Sequence, residues 1–364
     1  MKTMDSGKPA KILILPTIGI GDVLMFTPAL RCLRKSFPLA RIDFFVMTES
    51  ARDVLLHNPN LDRLIYFPLL DDKINGVKLL LRLRREKFNV SINIFPSNKK
   101  EYNLVSWLIG AQVRLGHRYI VKDIQGMNFL NNRRVEQSGK EHGVYENLKL
   151  IEALGASCDR SDIAGEGLDY FLTEADMRTA LEIEKAHVLK IGLHPGSSSR
   201  KTNVNKRWPK ERFVELIKRL SEKFPEMVFF LFGGPDERNL RNFIRERVDL
   251  GDRIYLVDGT IREIAPYIKA MDLFLGNDSA LVHLAAALKV PTAVIYGPTN
   301  PDWTYPFGVP HKVIRLGLDC SPCYQYSPKS LYCPAGRDFA CLKELPVDKV
   351  FGSVLEFMKE MGLK

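Results

Sequence analysis

The strongest constraint on the fold is a repeated alternation of short apolar runs with longer amphipathic segments. The run Lys11–Leu15 is almost wholly apolar, as expected of a strand covered on both faces. Over Val23–Phe37, apolar residues recur at spacings of three and four, which predicts an amphipathic helix. The alternation resumes at Leu189, after a polar stretch around residues 156–168. Alternating strands and helices predict parallel sheets wrapped by helices.

The length predicts more than one domain, because 364 residues exceed what a single core usually serves. We predict an N-terminal Rossmann-like domain over 1–175, a second over 176–345 and a C-terminal helix over 346–364. Residues 116–143 lose the alternation and predict a long, basic surface loop. Ligands of doubly wound sheets bind at the carboxyl ends of strands, so we expect the active site in a cleft between the two halves.

The charge restricts the class of partner. A net charge of +10 favours nucleic acid, phosphorylated lipid or an anionic membrane surface. Nucleic acid is disfavoured because no recognised DNA- or RNA-binding motif accompanies the charge. No stretch approaches 18 apolar residues, and Pro16 and Gly19 interrupt the first apolar run. We therefore expect neither a transmembrane helix nor a signal peptide, and predict a cytoplasmic protein.

The first strand ends at Gly19-Ile-Gly21-Asp22, where a helix is predicted to begin. The dinucleotide fingerprint needs glycine at position 24, which is Leu24, so a nicotinamide or flavin site is rejected. Asp22 then has two interpretations, a helix cap or a general base. Backbone N–H groups and the helix dipole lower the pKa of a carboxylate there, which weakens it as a base.

The segment from His194 to Pro209 joins small hydroxyl residues to four basic side chains. Hydroxyl groups and exposed backbone N–H groups are typical of a phosphate cradle. A nucleotide-hydrolase loop is excluded, because it requires glycine at the positions of Pro195 and Arg200. The alternative is a basic surface loop.

Two further turns follow predicted strands. In Gly233–Glu237, carboxylates can accept hydrogen bonds from ribose hydroxyls, although an acidic first helical turn needs no ligand. In Met271–Pro301, Asp278 stands where an N-cap belongs and Ser279 follows it. That helix N-terminus suits an anion, and His283 lies on the same helical face as Ser279. The alternative is an ordinary βαβ unit with an Asp cap.

These turns together resemble the heptosyltransferase family of lipopolysaccharide-core glycosyltransferases. The matching motifs, in chain order, are Gly19-Ile-Gly21-Asp22 with Thr27-Pro28-Ala29-Leu30, His194-Pro-Gly196, Lys206-Arg207-Trp208-Pro209, Gly233-Gly234-Pro235, Gly276-Asn-Asp278-Ser279-Ala-Leu-Val-His283-Leu and Gly297-Pro298-Thr299. The resemblance implies a GT-B fold, with two doubly wound Rossmann-like domains facing a cleft. It also implies inverting, metal-independent transfer from a nucleotide sugar, typically ADP-heptose, to the inner core on lipid A.

The resemblance assigns roles by motif, with Asp22 as the catalytic base. The residues that it implies for the donor nucleotide sugar are Ser197, Ser198, Lys206, Asp236, Glu237, Asp278, Ser279, Ala280 and His283. Fixed donors of this kind stabilise the charge that develops on a leaving diphosphate and can replace a divalent ion. For the acceptor we propose six basic residues of the N-terminal half: Lys99, Lys100, Arg118, Lys122, Arg133 and Arg134. The positive charge suits a lipid A-core acceptor at the anionic cytoplasmic face of the inner membrane, to which the enzyme would be peripheral.

Four clustered cysteines have the spacing Cys320-x2-Cys323-x9-Cys333-x7-Cys341. Paired spacing allows a structural zinc site, with free or redox-labile thiols as the alternative. Disulfides are not expected there, since cytosolic chains seldom keep them. Cys32 lies on a predicted helix and Cys158 is isolated, so neither is predicted to have a role.

Two rival functions remain. One is a related GT-B transferase that uses another nucleotide sugar. The other is a non-catalytic protein that binds anionic polymers through its basic surface.

Overall fold

The computed structural model describes residues 10–15, 19–69, 71–185, 188–198, 200–324 and 331–363, with the backbone alone over 200–202. The chain divides into a first unit that ends at Phe171 and a second that begins at Leu172. Each unit has a six-stranded sheet, and every strand pairing among the described residues is parallel. The predicted doubly wound α/β architecture is confirmed.

The sheet of the first unit has the order β3-β2-β1-β4-β5-β6. Its strands are β1 (Lys11–Leu15), β2 (Arg41–Val46), β3 (Arg63–Tyr66), β4 (Val90–Asn93), β5 (Val113–Arg118) and β6 (Arg133–Glu136). Its helices are α1 (Ile20–Ser36), α2 (Glu49–Leu55), α3 (Lys73–Arg85), α4 (Lys100–Ile109), α5 (Gly143–Glu152) and α6 (Arg160–Glu166). The strand order reverses between β1 and β4, so the ligand site of this sheet is expected where those two strands end.

The loop predicted over 116–143 is in part regular structure. Strand β5 continues to Arg118, a short 3-10 helix forms, and β6 becomes the edge strand. Side-chain amides hold this segment: Asn103 Nδ2 donates to Asn128 Oδ1 at 2.8 Å, and Asn131 Nδ2 donates to Asn103 Oδ1 at 2.7 Å. All three side chains are buried. Hydrophobic periodicity could not detect this segment, because amide hydrogen bonds, rather than apolar contacts, connect it to α4.

The sheet of the second unit has the order β12-β11-β10-β7-β8-β9 and reverses between β7 and β10. Its strands are β7 (Lys190–His194), β8 (Val228–Phe232), β9 (Ile254–Val257), β10 (Leu273–Asn277), β11 (Thr292–Ile295) and β12 (His311–Ile314). Its helices are α7 (Glu174–Glu184), α8 (Lys210–Lys223), α9 (Arg238–Val248), α10 (Ile261–Lys269), α11 (Ala280–Ala287), α12 (Pro301–Thr304), α13 (Ala340–Lys343) and α14 (Val347–Glu360). Helix α14 buries Val354 and Phe357 in the same core cluster as Leu193 of β7, so the C-terminal helix packs within the second unit.

A disulfide corrects one prediction. Cys32 of α1 is bonded to Cys158, which lies beyond α5, with 5.9 Å between their Cα atoms. Pairing across a separation of 126 residues cannot be read from sequence. The bond ties the helix that carries Asp22 to the segment between α5 and α6.

In the part of the chain that the structure describes, no helix has both the length and the apolar character needed to cross a bilayer.

Candidate functional site

The polar site of the second unit lies where β7 and β10 end, at the reversal of strand order. Asn277, the last residue of β10, is fully buried. Its Nδ2 donates to the carbonyl of Pro195 at 2.8 Å, and its Oδ1 accepts from the backbone N–H of Trp208 at 3.0 Å. Asn277 therefore fixes both the turn after β7 and the segment before α8. Sequence reasoning placed this residue in a motif but gave it no role.

His194 connects two of the predicted site residues. Its Nδ1 lies 2.8 Å from Ser279 Oγ, and its Nε2 lies 3.1 Å from Glu237 Oε2. Because a carboxylate only accepts, Nε2 must carry a proton, and in the neutral ring Nδ1 then accepts the hydrogen of the Ser279 hydroxyl. Sequence reasoning missed this arrangement, since nothing local to any one motif encodes it.

Glu237 has every carboxylate oxygen engaged inside the protein. Its Oε2 also accepts from the N–H of Gly234 at 3.0 Å, and its Oε1 lies 3.2 Å from Arg207 Nη2. Burial raises the pKa of Glu237, but the hydrogen bond and charge of His194, with those of Gly234 and Arg207, outweigh burial and lower it. The neighbouring Asp236 is exposed. Of the two acids predicted to bind nucleotide, Asp236 is therefore the one accessible to a ribose.

A buried ion pair lies beside this network. Lys206 Nζ is 2.7 Å from Asp278 Oδ2 and 4.9 Å from the ring centroid of Tyr324. Burial raises the pKa of Asp278, but the ammonium group of Lys206 outweighs it and lowers that pKa. Burial lowers the pKa of His283 to about 4, so its ring is neutral at pH 7. The Nδ1 of His283 is buried and has no hydrogen-bond partner among the residues that the structure describes.

Ser279, rather than the predicted Asp278, is the N-cap residue of α11, and Ala280 is the first helical residue. The Ser279 hydroxyl makes no capping hydrogen bond, because it is directed to His194. Asp278 is directed to Lys206 instead. The first N–H groups of a helix have no partners within it, so anion binding at this N-terminus stays a prediction.

The two serines of the predicted phosphate cradle differ in their environment. Ser197 is buried, and its hydroxyl donates to the carbonyl of Asn203 at 2.8 Å and accepts from Arg207 Nε at 3.3 Å. Its one hydroxyl hydrogen is thus used to hold the loop. Ser198 is exposed. Of the two, Ser198 is therefore the more accessible to a phosphate.

In the first unit, Asp22 is the third residue of α1, and Gly19 is the N-cap. The Asp22 carboxylate lies against Gly19: if residue 19 had a side chain, its Cβ atom would be 2.2 Å from Asp22 Oδ2. Burial raises the pKa of Tyr119, and the charges of Glu146 and Asp22 add to that rise. Tyr119 Oη accepts from the N–H of Ser97 at 2.6 Å, which fixes the loop after β4. Residues 16–18, the first part of the predicted turn, lie outside the described residues.

The structure separates the six basic residues predicted for the acceptor. Lys99 follows β4, Arg118 ends β5 and Lys122 follows it, at the edge of the sheet where Asp22 lies. Lys99 Nζ is 3.3 Å from Tyr102 Oη, and Lys100 is exposed at the start of α4. Arg133 and Arg134 begin β6, three strand positions from β1. Of the six, Lys99, Arg118 and Lys122 thus follow or end strands at the carboxyl edge of the sheet, where α1 and Asp22 begin after β1.

The four clustered cysteines are reduced, with Cys341 buried and the other three half-buried. Burial, followed by the charges of Cys333 and Cys320, raises the pKa of Cys323. Burial, followed by the charges of Cys323, Cys333 and Cys320, raises the pKa of Cys341 to about 11. No group of three or more His, Cys, Asp or Glu side chains in the described ranges is arranged to hold a metal ion.

Two solved structures share this fold over nearly the whole chain. The glycosyl transferase family 9 protein from Veillonella parvula DSM 2008 aligns with a TM-score of 0.79 and 22% identity, over 99% of each chain. The E. coli heptosyltransferase WaaC, solved with ADP-2-deoxy-2-fluoro heptose, aligns with a TM-score of 0.67 and 19% identity, over 96% of this chain and 99% of that one. Two parallel six-stranded sheets, each with polar turns at its strand reversal, therefore define the GT-B fold, as predicted.

The family profile described as glycosyltransferase family 9 (heptosyltransferase) matches residues 77–331. The lipopolysaccharide heptosyltransferase 1 of Campylobacter coli is 29% identical over 302 residues, which cover 79% of this chain and 84% of that relative. The chain belongs to glycosyltransferase family 9, the heptosyltransferase family, and the resemblance seen in the sequence is confirmed.

Proposed function

We propose that this enzyme transfers heptose from ADP-heptose to the inner core of lipopolysaccharide, on a lipid A-Kdo acceptor at the cytoplasmic face of the inner membrane. The observation that carries the proposal is the group of Ser279, Lys206 and Asp278 around the N-terminus of α11. The names of the Campylobacter coli relative and of the E. coli complex support both substrates. A related transferase that uses another nucleotide sugar is the alternative.

The donor diphosphate is proposed to bind at the N-terminus of α11, with Lys206 as its cationic ligand. In the structure, Asp278 neutralises Lys206 in a largely buried pair. A bound diphosphate would place two negative groups beside the same ammonium group. Lys206 would then interact with both Asp278 and the diphosphate, instead of with Asp278 alone. The low effective dielectric of a buried site strengthens these interactions, and the groups are already in place before the charge develops.

Asp22 is proposed to be the base. The acceptor oxygen forms a bond to the anomeric carbon as the bond from that carbon to the β-phosphate oxygen breaks, and ADP leaves with the bonding electrons. The acceptor proton passes to Asp22. Attack on the face opposite the leaving group inverts the anomeric configuration. Lys206 and the helix N–H groups stabilise the departing diphosphate, which is the role a divalent ion would otherwise take.

A donor panel tests the proposal. The purified enzyme is incubated with lipid A-Kdo acceptor and a series of nucleotide sugars, and nucleoside diphosphate release is recorded with and without EDTA. We expect ADP-heptose to be used in EDTA, and the product to have the inverted anomeric configuration by NMR. Asp22→Asn is expected to lower turnover by about 100-fold or more while donor binding persists. Turnover of a different nucleotide sugar, or polymer binding with no turnover, would contradict the proposal.

The sequence prediction of structural zinc at Cys320, Cys323, Cys333 and Cys341 has its own test. Thiolates are preferred zinc ligands, but the four cysteines do not form a metal-holding set within the described residues. Metal analysis of the purified enzyme that finds about one zinc per chain would support zinc. Protein without zinc would leave the four thiols as a structural cluster.

A further inference from the structure

Helix α3 presents an apolar stripe to solvent. Ile74 is 76% exposed, Val77 50% and Leu81 48%. Their spacings of three and four residues place them on one face of the helix. The opposite face is in the core of the first unit, where Leu80 and Leu83 are buried against β1. The helix is therefore anchored by one apolar face and exposes another.

The neighbouring helix α4 extends this surface. Tyr102, Val105 and Ile109 of α4 are buried in the same core cluster as Leu80 and Leu83, so the two helices cover one face of the sheet side by side. On its outward side α4 exposes Leu104 by 36% and Trp107 by 51%. We call this surface the α3–α4 face, defined by Ile74, Val77, Leu81, Leu104 and Trp107.

Cations border the apolar stripe on both sides. Successive residues of an α-helix are rotated by about 100° around its axis. This rotation places Lys73 and Arg84 on one side of the stripe, and Lys78 and Arg85 on the other. Arg84 is held in place, because its Nη1 donates to the carbonyl of Leu108 in α4 at 2.9 Å. Together, the two helices carry six basic residues and one acidic residue: Lys73, Lys78, Arg82, Arg84, Arg85, Lys100 and Glu101.

We propose that the α3–α4 face docks on the surface of an anionic lipid bilayer. Apolar side chains bordered by Lys and Arg are the pattern of helices that lie in a membrane interface, where apolar burial and attraction to anionic headgroups add. Trp107 suits that interface, because its ring is apolar and its N–H is polar. A second copy of the chain is a poorer occupant, since it would bring the same cations together. The inference goes beyond the proposed function, which requires a lipid acceptor but names no surface.

Vesicle co-sedimentation of the full chain tests the proposal. Phosphatidylcholine vesicles with and without phosphatidylglycerol are the probes, and we expect the enzyme to pellet with the anionic ones. Burial of Trp107 is expected to shift its emission to the blue. Leu81→Ser and Trp107→Ser should each lower the partition coefficient about tenfold, from lost apolar burial. The double variant Lys78→Glu, Arg82→Glu should lower the partition coefficient at least about tenfold on the anionic vesicles, but not on the phosphatidylcholine vesicles.

The matched control is Leu181→Ser on α7 of the second unit, which removes a leucine that is 50% exposed. It should pellet like the wild type, and thermal melts should show that all variants fold. Variants of the α3–α4 face that pellet like the wild type would overturn the proposal. The proposal would also be overturned if analytical ultracentrifugation showed a dimer of the wild type and a monomer of Leu81→Ser, because a second copy of the chain would then cover this face.

The vesicle assay contains no sugar donor, so its outcome is independent of the proposed transfer. ADP release with a detergent-soluble acceptor should be unchanged in Leu81→Ser. If the wild type released no ADP yet pelleted with anionic vesicles, the proposed function would fail and the docking surface would stand.

Discussion

The Nδ1 atom of His194, the last residue of β7, lies 2.8 Å from the hydroxyl oxygen of Ser279, the N-cap of α11. Glu237 holds the other ring nitrogen at 3.1 Å. In the neutral ring, Ser279 donates its hydrogen to His194 and presents only lone pairs to a ligand. His194 is thus a positioning residue that acts through Ser279.

Replacing His194 by Ala should therefore weaken the use of donor without removing the catalytic base. We expect kcat/KM for the donor to fall by about 10- to 100-fold, the value of a hydrogen bond to a charged group. His57→Asn, which removes an exposed imidazole, is the control and should behave like the wild type. An unchanged kcat/KM in His194→Ala would show that the ring only fills space.

Gly196 is required by the closeness of Glu237. A Cβ atom at this position would lie 1.8 Å from Glu237 Oε1, and His194 and Arg207 hold that carboxylate in place. Gly196→Ala should therefore displace the network, lower the unfolding free energy by about 1–3 kcal/mol and weaken ADP binding. Urea unfolding and calorimetric titration with ADP measure the two effects.

The matched substitution is Gly165→Ala in α6, where an added Cβ meets no atom within 4 Å. In a helix this change should be neutral or stabilise by about 0.5–1 kcal/mol. If Gly196→Ala were as stable as Gly165→Ala, the described contact with Glu237 would be wrong.

The neutral His283 predicts a dependence of stability on pH. Burial lowers its pKa from 6.5 to about 4, so the unfolded chain takes up this proton at a higher pH than the folded chain. The contribution of His283 to stability is therefore complete above about pH 6.5 and is lost as the pH falls toward 4. Between these values the loss should reach about 2–3 kcal/mol.

Urea unfolding at pH 7 and pH 4.5 measures that loss. His283→Asn should show a smaller drop in unfolding free energy than the wild type, because the titrating group is absent. The His57→Asn control should keep the wild-type drop. Equal drops in all three proteins would mean that the pKa of His283 is the same in the folded and the unfolded chain.

The fold was largely predictable because buried parallel strands leave a strong local signal. Strand β1 has the predicted bounds, and its residues Ile12–Leu15 are fully buried. The edge strands β6 and β12 were missed. They contain charged and half-exposed residues such as Arg134 and Lys312, so neither the apolar run nor a clear alternation is present.

The candidate site was predictable only in part, for a related reason. Lys206, Asp278 and His283 follow strand ends that the sequence indicates, and the structure brings them together. Their pairing is not local: His194 and Glu237 are 43 residues apart, and the hydrogen bond between them depends on β7 and β8 being neighbours. Deciding which of Asp236 and Glu237 is accessible to a ribose likewise required knowing which one is buried. The sequence shows only two adjacent acids in a turn.

The Cys32–Cys158 disulfide gives the last prediction, since it constrains the helix that carries Asp22. It joins residues separated by 126 positions, and in the chain-entropy description a loop of that size stabilises by up to about 5 kcal/mol. Reduction should lower the unfolding free energy of the first unit by about 2–5 kcal/mol. The Cys32→Ala, Cys158→Ala double variant should be equally destabilised and insensitive to reductant. Of the six cysteines, the four reduced ones should be alkylated in denatured, unreduced protein and all six after reduction, as measured by mass spectrometry. Six alkylations without reductant would show that the bond does not form in solution.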